Sequence, residues 1–520
     1  MYGLSDPADA YYNQLVQGFR CGQLNLKREV PPGLTKLADP YDPTANISYR
    51  EQDRLHDVSY YKGKLYLYFG VTPALVLFWP YAVLTGRYLF HKQAVAIFCA
   101  IGFLASVALL GALQRRYFPE VSRLVMAACA FALGLTTCVP MMLQRPDVYE
   151  VAISCAYAMV MLALAGIWHA LHDSARRCWW LAAASLAYGL AVGARPTVLF
   201  GAVILLVPVI HAWISAPAQD GPRWLLTGRL LAAAVVPLSL FGLGLMFYNY
   251  RRFDNPFEFG LHHMMSGNKE NDMNHLFGLN YLWFNFRAYF LQPVQWGSSF
   301  PFVKDIKLPP PPPGMLVLEN PFGVLSNTPF VWLALAGPLV WQKRTPGERS
   351  TLRFFMAATA VLFGIFALTL CLFAGACARY EVDFVPALVL LAACGVLGLE
   401  RALAATPRWR NRARWVWITA LVFSLVINLL MSVERYAVEL CRDGMGRLHL
   451  GRLKEATAYF EESLRVDPNN PMTHYYYAID LVQAGRLPEA ISHYEQVLRL
   501  DPSYPGAREG LLQAEQKLGE

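Results

Sequence analysis

Charged residues are scarce in this chain of 520 residues: Asp, Glu, Lys and Arg make up 16% of it, whereas 55% is hydrophobic. This composition does not suit a soluble enzyme, and the chain is too long for a single domain. The ten cysteines have no spacing that indicates a disulfide framework. The formal charge of +8 does not indicate nucleic-acid binding, because the basic residues are concentrated in short connections between apolar runs.

Long uncharged runs occupy most of the chain instead. A helix needs about 17 to 25 apolar residues to cross the hydrocarbon core of a membrane. Each crossing segment must be helical, because lipid offers the backbone no hydrogen-bond partners. We therefore predict an all-α membrane protein with about ten transmembrane helices. The predicted spans are residues 94–113, 124–143, 151–171, 179–194, 196–215, 230–250, 322–341, 354–376, 384–399 and 415–433.

Lysine and arginine are distributed unevenly between the connections that join these spans. Sixteen of them fall in residues 114–123, 172–178, 216–229, 342–353 and 400–414. The short connections of the opposite side hold three: Arg145, Arg195 and Arg379. Because positive residues favour the cytoplasmic side, we predict that the first set is cytoplasmic. The three arginines, residues 1–90 and the long loop 251–321 then face outward, as does the end of the chain.

One further uncharged run, residues 65–86, is interrupted by Pro73 and Pro80 and carries aromatic residues that suit a membrane interface. We interpret it as an interfacial or re-entrant helix. The outward-facing segment before it begins with polar sequence and has no signal peptide. We therefore expect a first transmembrane helix to be missing ahead of Met1.

The end of the chain repeats itself with a period of 34 residues. The repeated residues are Gly451-Arg452-Leu453, Ala456, Phe460 and Asp467-Pro468, which recur as Gly485-Arg486-Leu487, Ala490, Tyr494 and Asp501-Pro502. This period resembles the tetratricopeptide repeat, whose small residues let paired helices approach each other. We predict helix-turn-helix repeats at 437–470 and 471–504 and a closing helix at 505–518. Repeats of this type bind other proteins.

These features predict three parts of the chain. Residues 1–90 form an outward-facing first loop with a juxtamembrane helix. Residues 91–432 form a transmembrane domain that includes the long outer loop 251–321. Residues 433–520 form the repeat domain.

The first outer loop holds carboxylates beside aromatic rings. Such a site can activate a hydroxyl group through a carboxylate that acts as general base, and it can stack a sugar. Asp6 and Asp9 are candidates, and Asp57 is a third. Alternatively, Asp6 starts a turn before Pro7 and Asp9 caps a helix from Ala10.

The order of several features resembles the GT-C superfamily of polytopic glycosyltransferases, protein mannosyltransferases among them, over about residues 1–432. These features are the acidic first loop, the Pro-interrupted helix from Thr72 to Gly86, Arg115-Arg116-Tyr117-Phe118 after a span, the turn from Gly189 to Thr197, and Arg379-Tyr380 before a late span. Enzymes of that superfamily use polyprenyl-phosphate sugars. The resemblance implies a hexosyl- or pentosyltransferase of GT-C-like fold.

The resemblance also implies roles for residues. A first-loop Asp deprotonates the acceptor, which attacks the anomeric carbon of the sugar as the lipid phosphate leaves. Asp6 and Asp9 are the candidates, although the adjacent acidic pair that is usual in the family is absent; Asp57 is the third.

A leaving phosphate needs a cation near the membrane surface, and arginine can donate two hydrogen bonds to phosphate oxygens. Arg145, Arg195 and Arg379, with Tyr380, are the predicted donor-phosphate site. The alternative for each arginine is a side chain that snorkels from a helix end. Glu150 is either a pairing partner of these arginines or a supporting carboxylate.

Two other functions compete with this transferase. One is an O-antigen ligase or polymerase, which depends on basic residues in a late outer loop, here Arg251 and Arg252. The other is a non-enzymatic membrane scaffold that presents the repeats.

The expected location is the bacterial inner membrane, with the repeats on the periplasmic side. The expected partners are a lipid-linked sugar donor, an acceptor that is a glycan, lipid or protein, and a protein bound through Tyr475, Tyr476 or Tyr477. At least one of these tyrosines must pack inside the repeat. Nucleic acid is not expected, no histidine spacing indicates a metal site, and a divalent metal cofactor is left open.

The transferase hypothesis predicts that Asp6→Asn combined with Asp9→Asn abolishes sugar transfer without impairing membrane insertion, because only the general base is lost. Transfer from a polyprenyl-phosphate sugar in isolated membranes measures this. Undiminished transfer by the double variant would show that neither carboxylate is the base.

Overall fold

The structure is a computed structural model that describes residues 6–51, 53, 55–215, 223–267 and 275–519. It is helical, as predicted, and its strands are at most four residues long. The chain forms two compact units. We call residues 6–293 with 308–425 the membrane unit, and residues 294–307 with 426–519 the repeat unit. The chain ahead of Asp6 lies outside the described residues, so the expected first span stays a prediction.

Eight helices among the described residues are long and apolar enough to cross a membrane. They are His91–Tyr117, Arg123–Met142, Val148–His172, Pro196–Ser215, Trp224–Phe253, Pro346–Leu372, Val385–Ala402 and Pro407–His449. Two predicted spans fall short of this standard. Residues 179–194 lie in the less apolar helix Arg177–Ala194. Residues 322–341 form a short helix and the twelve-residue 3-10 helix Pro329–Val340, which extends about 24 Å and does not match a hydrocarbon core of about 30 Å.

Shorter elements fill the connections. The helices are Pro7–Asp9, Tyr11–Arg20, Leu34–Lys36, Ile47–Glu51, Ala74–Phe78 continuing as Trp79–Thr85, Val139–Met142, Leu261–His263, Leu279–Phe286 continuing as Arg287–Leu291, Val324–Asn327 and Ala378–Asp383. The strands are Val58–Tyr61, Lys64–Leu67, Met264–Met265, Gln295–Trp296, Val303–Lys304, Val317–Glu319 and Gly375–Cys377.

The first outer loop contains a β-hairpin that the prediction of helix fragments and turns omits. Strand Val58–Tyr61 pairs with Lys64–Leu67 through a turn in which Lys62 and Gly63 both have positive φ. This turn geometry matches the twist of paired strands, and glycine adopts it without strain. Strand Met264–Met265 from the long outer loop adds to the hairpin. Residues 65–86 therefore begin as a strand and end as a helix over Ala74–Thr85, which is too short to cross.

Connections that the lysine and arginine count assigns to one side contact each other. Arg344 Nη2 donates to the backbone oxygen of Tyr117 at 2.6 Å, and the Tyr117 hydroxyl lies 2.8 Å from His172 Nε2. Arg401 approaches Glu120 at 4.0 Å. The four connections involved all belong to the predicted cytoplasmic set, as expected for helices that alternate in direction.

The repeat unit consists of the end of helix Pro407–His449 followed by four antiparallel helices. These are Leu453–Val466, Pro471–Gln483, Leu487–Leu500 and Ala507–Gly519. Ala456 and Ala490, 34 residues apart, are fully buried, as are the rings of Phe460 and, nearly, Tyr494. Gly451 and Gly485 turn the chain between paired helices with φ of +70° and +74°. The period seen in the sequence is therefore the period of helix pairs.

The segment 294–307 of the long outer loop packs on these repeats. Its short hairpin, Gln295–Trp296 with Val303–Lys304, brings Ser299 Oγ to 2.6 Å from Asn469 Nδ2 in the turn after the first repeat. At the base of the hairpin, Asp305 pairs with Arg435. The repeats thus hold part of a loop that lies 130 residues before them in the sequence.

The core of the repeats gives a stability prediction. Phe460→Ala removes a fully buried ring that stacks on Tyr477 and should cost about 3 to 5 kcal/mol. Limited proteolysis of the purified full-length protein should then cleave residues 450–519 faster while the membrane helices stay protected. Leu512→Ala, at a position that is 55% exposed, is the control and should change little. Equal cleavage of both variants would contradict this packing.

Candidate functional site

Three connections of the membrane unit bring the predicted arginines together. Arg145 lies between helices Val139–Met142 and Val148–His172, Arg195 directly follows Arg177–Ala194, and Arg379 lies in the 3-10 helix Ala378–Asp383. Each arginine therefore stands where an apolar helix begins or ends. The structure places them close enough to share partners.

Arg145 and Arg379 share one carboxylate. Arg145 Nη1 lies 3.2 Å from Glu319 Oε2, and Arg379 Nη1 contacts the same oxygen directly. Glu319 is the last residue of strand Val317–Glu319, which pairs in parallel with Gly375–Cys377 and so lies beside Arg379. The Arg379 side chain is 10% exposed, whereas those of Arg145 and Glu319 are 27% and 29% exposed. The shared oxygen is therefore at the open side of the pair.

Two tyrosine rings lie between the guanidinium groups. The Tyr149 ring centroid is 5.9 Å from Arg145 Cζ and 5.1 Å from Arg379 Cζ. The Tyr380 ring centroid is 5.3 Å from Arg379 Cζ and 4.5 Å from Arg195 Cζ. These distances are within the range of cation–π attraction. The rings thus link all three arginines into one group, which we call the arginine cluster.

Arg195 has its own buried counter-ion. Its Nε lies 2.9 Å from Asp383 Oδ2 and 3.0 Å from the hydroxyl of Thr197. Burial raises the pKa of Asp383 to about 6, although the Arg195 guanidinium opposes this shift. Burial also raises the pKa of Tyr380 to about 12, so its phenol stays protonated and can donate a hydrogen bond.

Asp57 is joined to the arginine cluster through Tyr149. The Tyr149 hydroxyl donates to Asp57 Oδ2, and His56 Nε2 lies 3.7 Å from the same oxygen. Asp57 has a φ of +55°, and its backbone N–H donates to Met265 at 3.0 Å, so the strand from the long loop holds it in place. Of the three predicted carboxylates, Asp57 is the one that this network reaches.

Asp6 and Asp9 have local roles at the start of the described chain. Asp6 Oδ1 accepts a hydrogen bond from the backbone of Ala8 at 2.8 Å and caps the helix Pro7–Asp9. Asp9 is exposed and does not cap the next helix, which begins at Tyr11 behind Ala10. Within the described ranges, no hydrogen bond or ion pair links either side chain to the arginine cluster. Their catalytic role stays a prediction.

Glu150 supports the cluster from inside. It forms a capping box with Asp147 at the start of helix Val148–His172, where its Oε2 accepts from the Asp147 backbone at 3.1 Å. Its other oxygen lies 4.0 Å from Arg379 Nε, and its side chain is 1% exposed. Glu150 is therefore a supporting carboxylate with a weak electrostatic link to Arg379.

Sequence reasoning missed Glu319, Tyr149 and Asp383. Tyr149 and Asp383 each lie four residues after a predicted arginine, so the spacing carried a signal. Glu319 carried none, because it is 174 residues from Arg145 and 60 from Arg379.

The predicted partner-binding tyrosines differ in exposure. Tyr477 is 5% exposed, stacks on Phe460 and donates to Glu461 at 3.0 Å, so its side chain belongs to the repeat core. Tyr475 and Tyr476 are half-buried and contact each other. They are the two that a partner could reach.

Across the parts of the chain that the structure covers, no three His, Cys, Asp or Glu side chains are grouped to hold a metal ion. The arginine cluster is an anion site in character. Planar donors on fixed connections can hold a phosphate while the apolar helices beside them accommodate a lipid chain.

Comparison with known proteins identifies the end of the chain. The family model described as tetratricopeptide repeat matches residues 444–505 and 477–519. The fold and these repeats together define a multi-pass membrane protein with tetratricopeptide repeats. Among solved structures, the chain is similar to ArnT from Cupriavidus metallidurans bound to undecaprenyl phosphate, with 16% identity, a TM-score of 0.38, and coverage of 89% of this chain and 76% of that one. No curated protein matches. At this similarity no residue role is transferred from ArnT.

The raised pKa of Asp383 predicts a pH effect. Its folded pKa of about 6 exceeds the ordinary value of 3.8, so the folded state holds a proton that the unfolded state releases, and this contribution to stability is lost as pH rises from about 4 to 6. Asp383→Asn removes the titration. The stability of the variant relative to the unmodified protein should rise across this window, by at most about 3 kcal/mol. Thermal unfolding in detergent between pH 4 and 7.5 measures it, and a constant difference would contradict the buried position of Asp383.

Proposed function

We propose that this protein is an integral membrane glycosyltransferase that moves a sugar from a polyprenyl-phosphate donor to an acceptor on the outer face of the bacterial inner membrane. The observation that carries the proposal is the link between Asp57 and the arginine cluster through the single side chain of Tyr149. A carboxylate and a phosphate site that share one side chain are close enough to act on the two ends of one reaction.

The arginine cluster would hold the donor phosphate. Three guanidinium groups at the ends of apolar helices suit a ligand whose anionic group lies at the membrane surface and whose chain lies in lipid. Arg145 and Arg379 already converge on one oxygen, as they would on a phosphate oxygen. Tyr380 can donate a further hydrogen bond because its phenol stays protonated.

Asp57 would act as general base. It would take the proton of the acceptor hydroxyl as that oxygen attacks the anomeric carbon of the sugar. The bond between this carbon and the phosphate oxygen breaks, and the electron pair leaves with the polyprenyl phosphate, whose charge the arginines stabilise. The Tyr149 hydroxyl orients the carboxylate, and its ring fixes the distance between base and phosphate.

The repeats would recruit the acceptor or a protein that carries it. They share a compact unit with segment 294–307 of the long outer loop, so they belong to the same face as that loop in the predicted topology. Tyr475 and Tyr476 are the proposed contact residues.

No specific feature favours the ligase or polymerase alternative. Arg252 is buried and donates to the Leu67 backbone at 2.8 Å and to Asn249 Oδ1 at 2.7 Å, so it supports the fold of the outer loops. Arg251 is exposed in the next position.

The proposal predicts different effects for base and phosphate ligands. Asp57→Asn should lower the transfer rate about 10²- to 10⁴-fold while donor binding stays unchanged, because only proton transfer is lost. Arg145→Ala should instead weaken donor binding. Release of polyprenyl phosphate from a panel of radiolabelled polyprenyl-phosphate hexoses and pentoses measures both effects in reconstituted protein.

The matched control is Asp254→Asn, which neutralises an exposed outer-loop carboxylate paired with Lys62 at 2.6 Å. It should keep full activity. If Asp57→Asn is fully active and the Asp6 and Asp9 double variant is inactive, the base is one of those two residues. If no donor of the panel binds, the protein is a scaffold and the proposal fails.

A further inference from the structure

We propose that Glu319 is an internal anion that occupies the position of the donor phosphate and turns away when the donor binds. The inference rests on the proposed function, since it concerns the same arginines. It assigns to the long outer loop a part in controlling access to the site.

The first support is the geometry of the shared oxygen. Arg145 Nη1 and Arg379 Nη1, from connections 234 residues apart, converge on Glu319 Oε2. A phosphate oxygen bound between the same two donors would occupy the same point. Carboxylate and phosphate therefore compete for one position, and the two cannot be bound there together.

The second support is the difference between Glu319 and the other carboxylates of the cluster. The side chains of Glu150 and Asp383 are 1% and 3% exposed and enclosed by the fold, whereas that of Glu319 is 29% exposed. A partly exposed carboxylate can exchange protein contacts for water at low cost. Glu150 and Asp383 remain as permanent counter-ions when it leaves.

The third support is that the backbone around Glu319 is anchored on both sides. Leu316 N–H donates to Ala374 at 2.8 Å, and Phe322 N–H donates to the buried Glu381 Oε1 at 2.6 Å. Between them, strand Val317–Glu319 pairs with Gly375–Cys377. The strand therefore stays in place, and release of the arginines requires only rotation of the Glu319 side chain.

An arginine pair without an anion would be costly to desolvate. Glu319 neutralises the pair while the site is empty, and the phosphate replaces it when the site is filled. Donor binding is then an exchange of anions, and its affinity is lowered by the contacts that Glu319 gives up. A neutral side chain of the same shape removes that competition.

The test is binding of undecaprenyl phosphate to Glu319→Gln in lipid nanodiscs, measured as a dissociation constant, with thermal unfolding to confirm that the variant is folded. The exchange predicts binding at least about tenfold tighter than in the unmodified protein. The matched control is Glu400→Gln, which removes a carboxylate that is 5% exposed and paired with Arg414 at 2.6 Å. It should leave binding unchanged. Glu319→Asp, which keeps the charge but retracts it by one methylene, should fall between the two.

If the unmodified protein binds and Glu319→Gln binds equally or more weakly, Glu319 is a fixed support of the arginines and the inference is overturned while the proposed function stands. If Glu319→Gln does not fold, tighter binding by Glu319→Asp supports the exchange and unchanged or weaker binding overturns it. If none of the proteins binds undecaprenyl phosphate, the proposed function fails and the inference fails with it.

Discussion

A guanidinium group cannot lose its charge at any ordinary pH, and this constraint organises the outer part of the membrane unit. Arg195 and Arg379 are nearly buried at the ends of apolar helices, where an unpaired cation would be very costly. The fold meets this constraint with carboxylates from three different segments and with two tyrosine rings. The site exists because these charges have to be neutralised where lipid-facing helices end.

The pairing also explains how distant loops are brought together. Glu319 ties the long outer loop to Arg145 and Arg379, and the strand Met264–Met265 ties the same loop to the hairpin that carries Asp57. In the repeat unit, segment 294–307 of that loop packs on the turn after the first repeat. The long outer loop therefore supplies a strand to the first loop, an anion to the arginine cluster and a hairpin to the repeats. A partner that binds the repeats would act on the loop whose later part holds the arginines.

Most of the fold could be predicted from sequence because its signals are local. Eight of the ten predicted spans appear as long apolar helices, since hydropathy over about 20 residues is sufficient to specify such a helix in lipid. The repeats were found from a fixed period, and the arginines from their position at helix ends. The hairpin at residues 58–67 was missed although Lys62-Gly63 between alternating residues is a turn signal. Glu319 could not have been found, because its role depends on two loops that only the folded chain brings together.

The most direct test of the central claim is a structure of the protein in nanodiscs with undecaprenyl phosphate, determined by electron cryomicroscopy. The account predicts phosphate density in contact with Arg145 and Arg379, the polyprenyl chain along the apolar helices, and the Glu319 side chain turned away from both arginines. Phosphate density elsewhere, with Glu319 still between the two guanidinium groups, would contradict it.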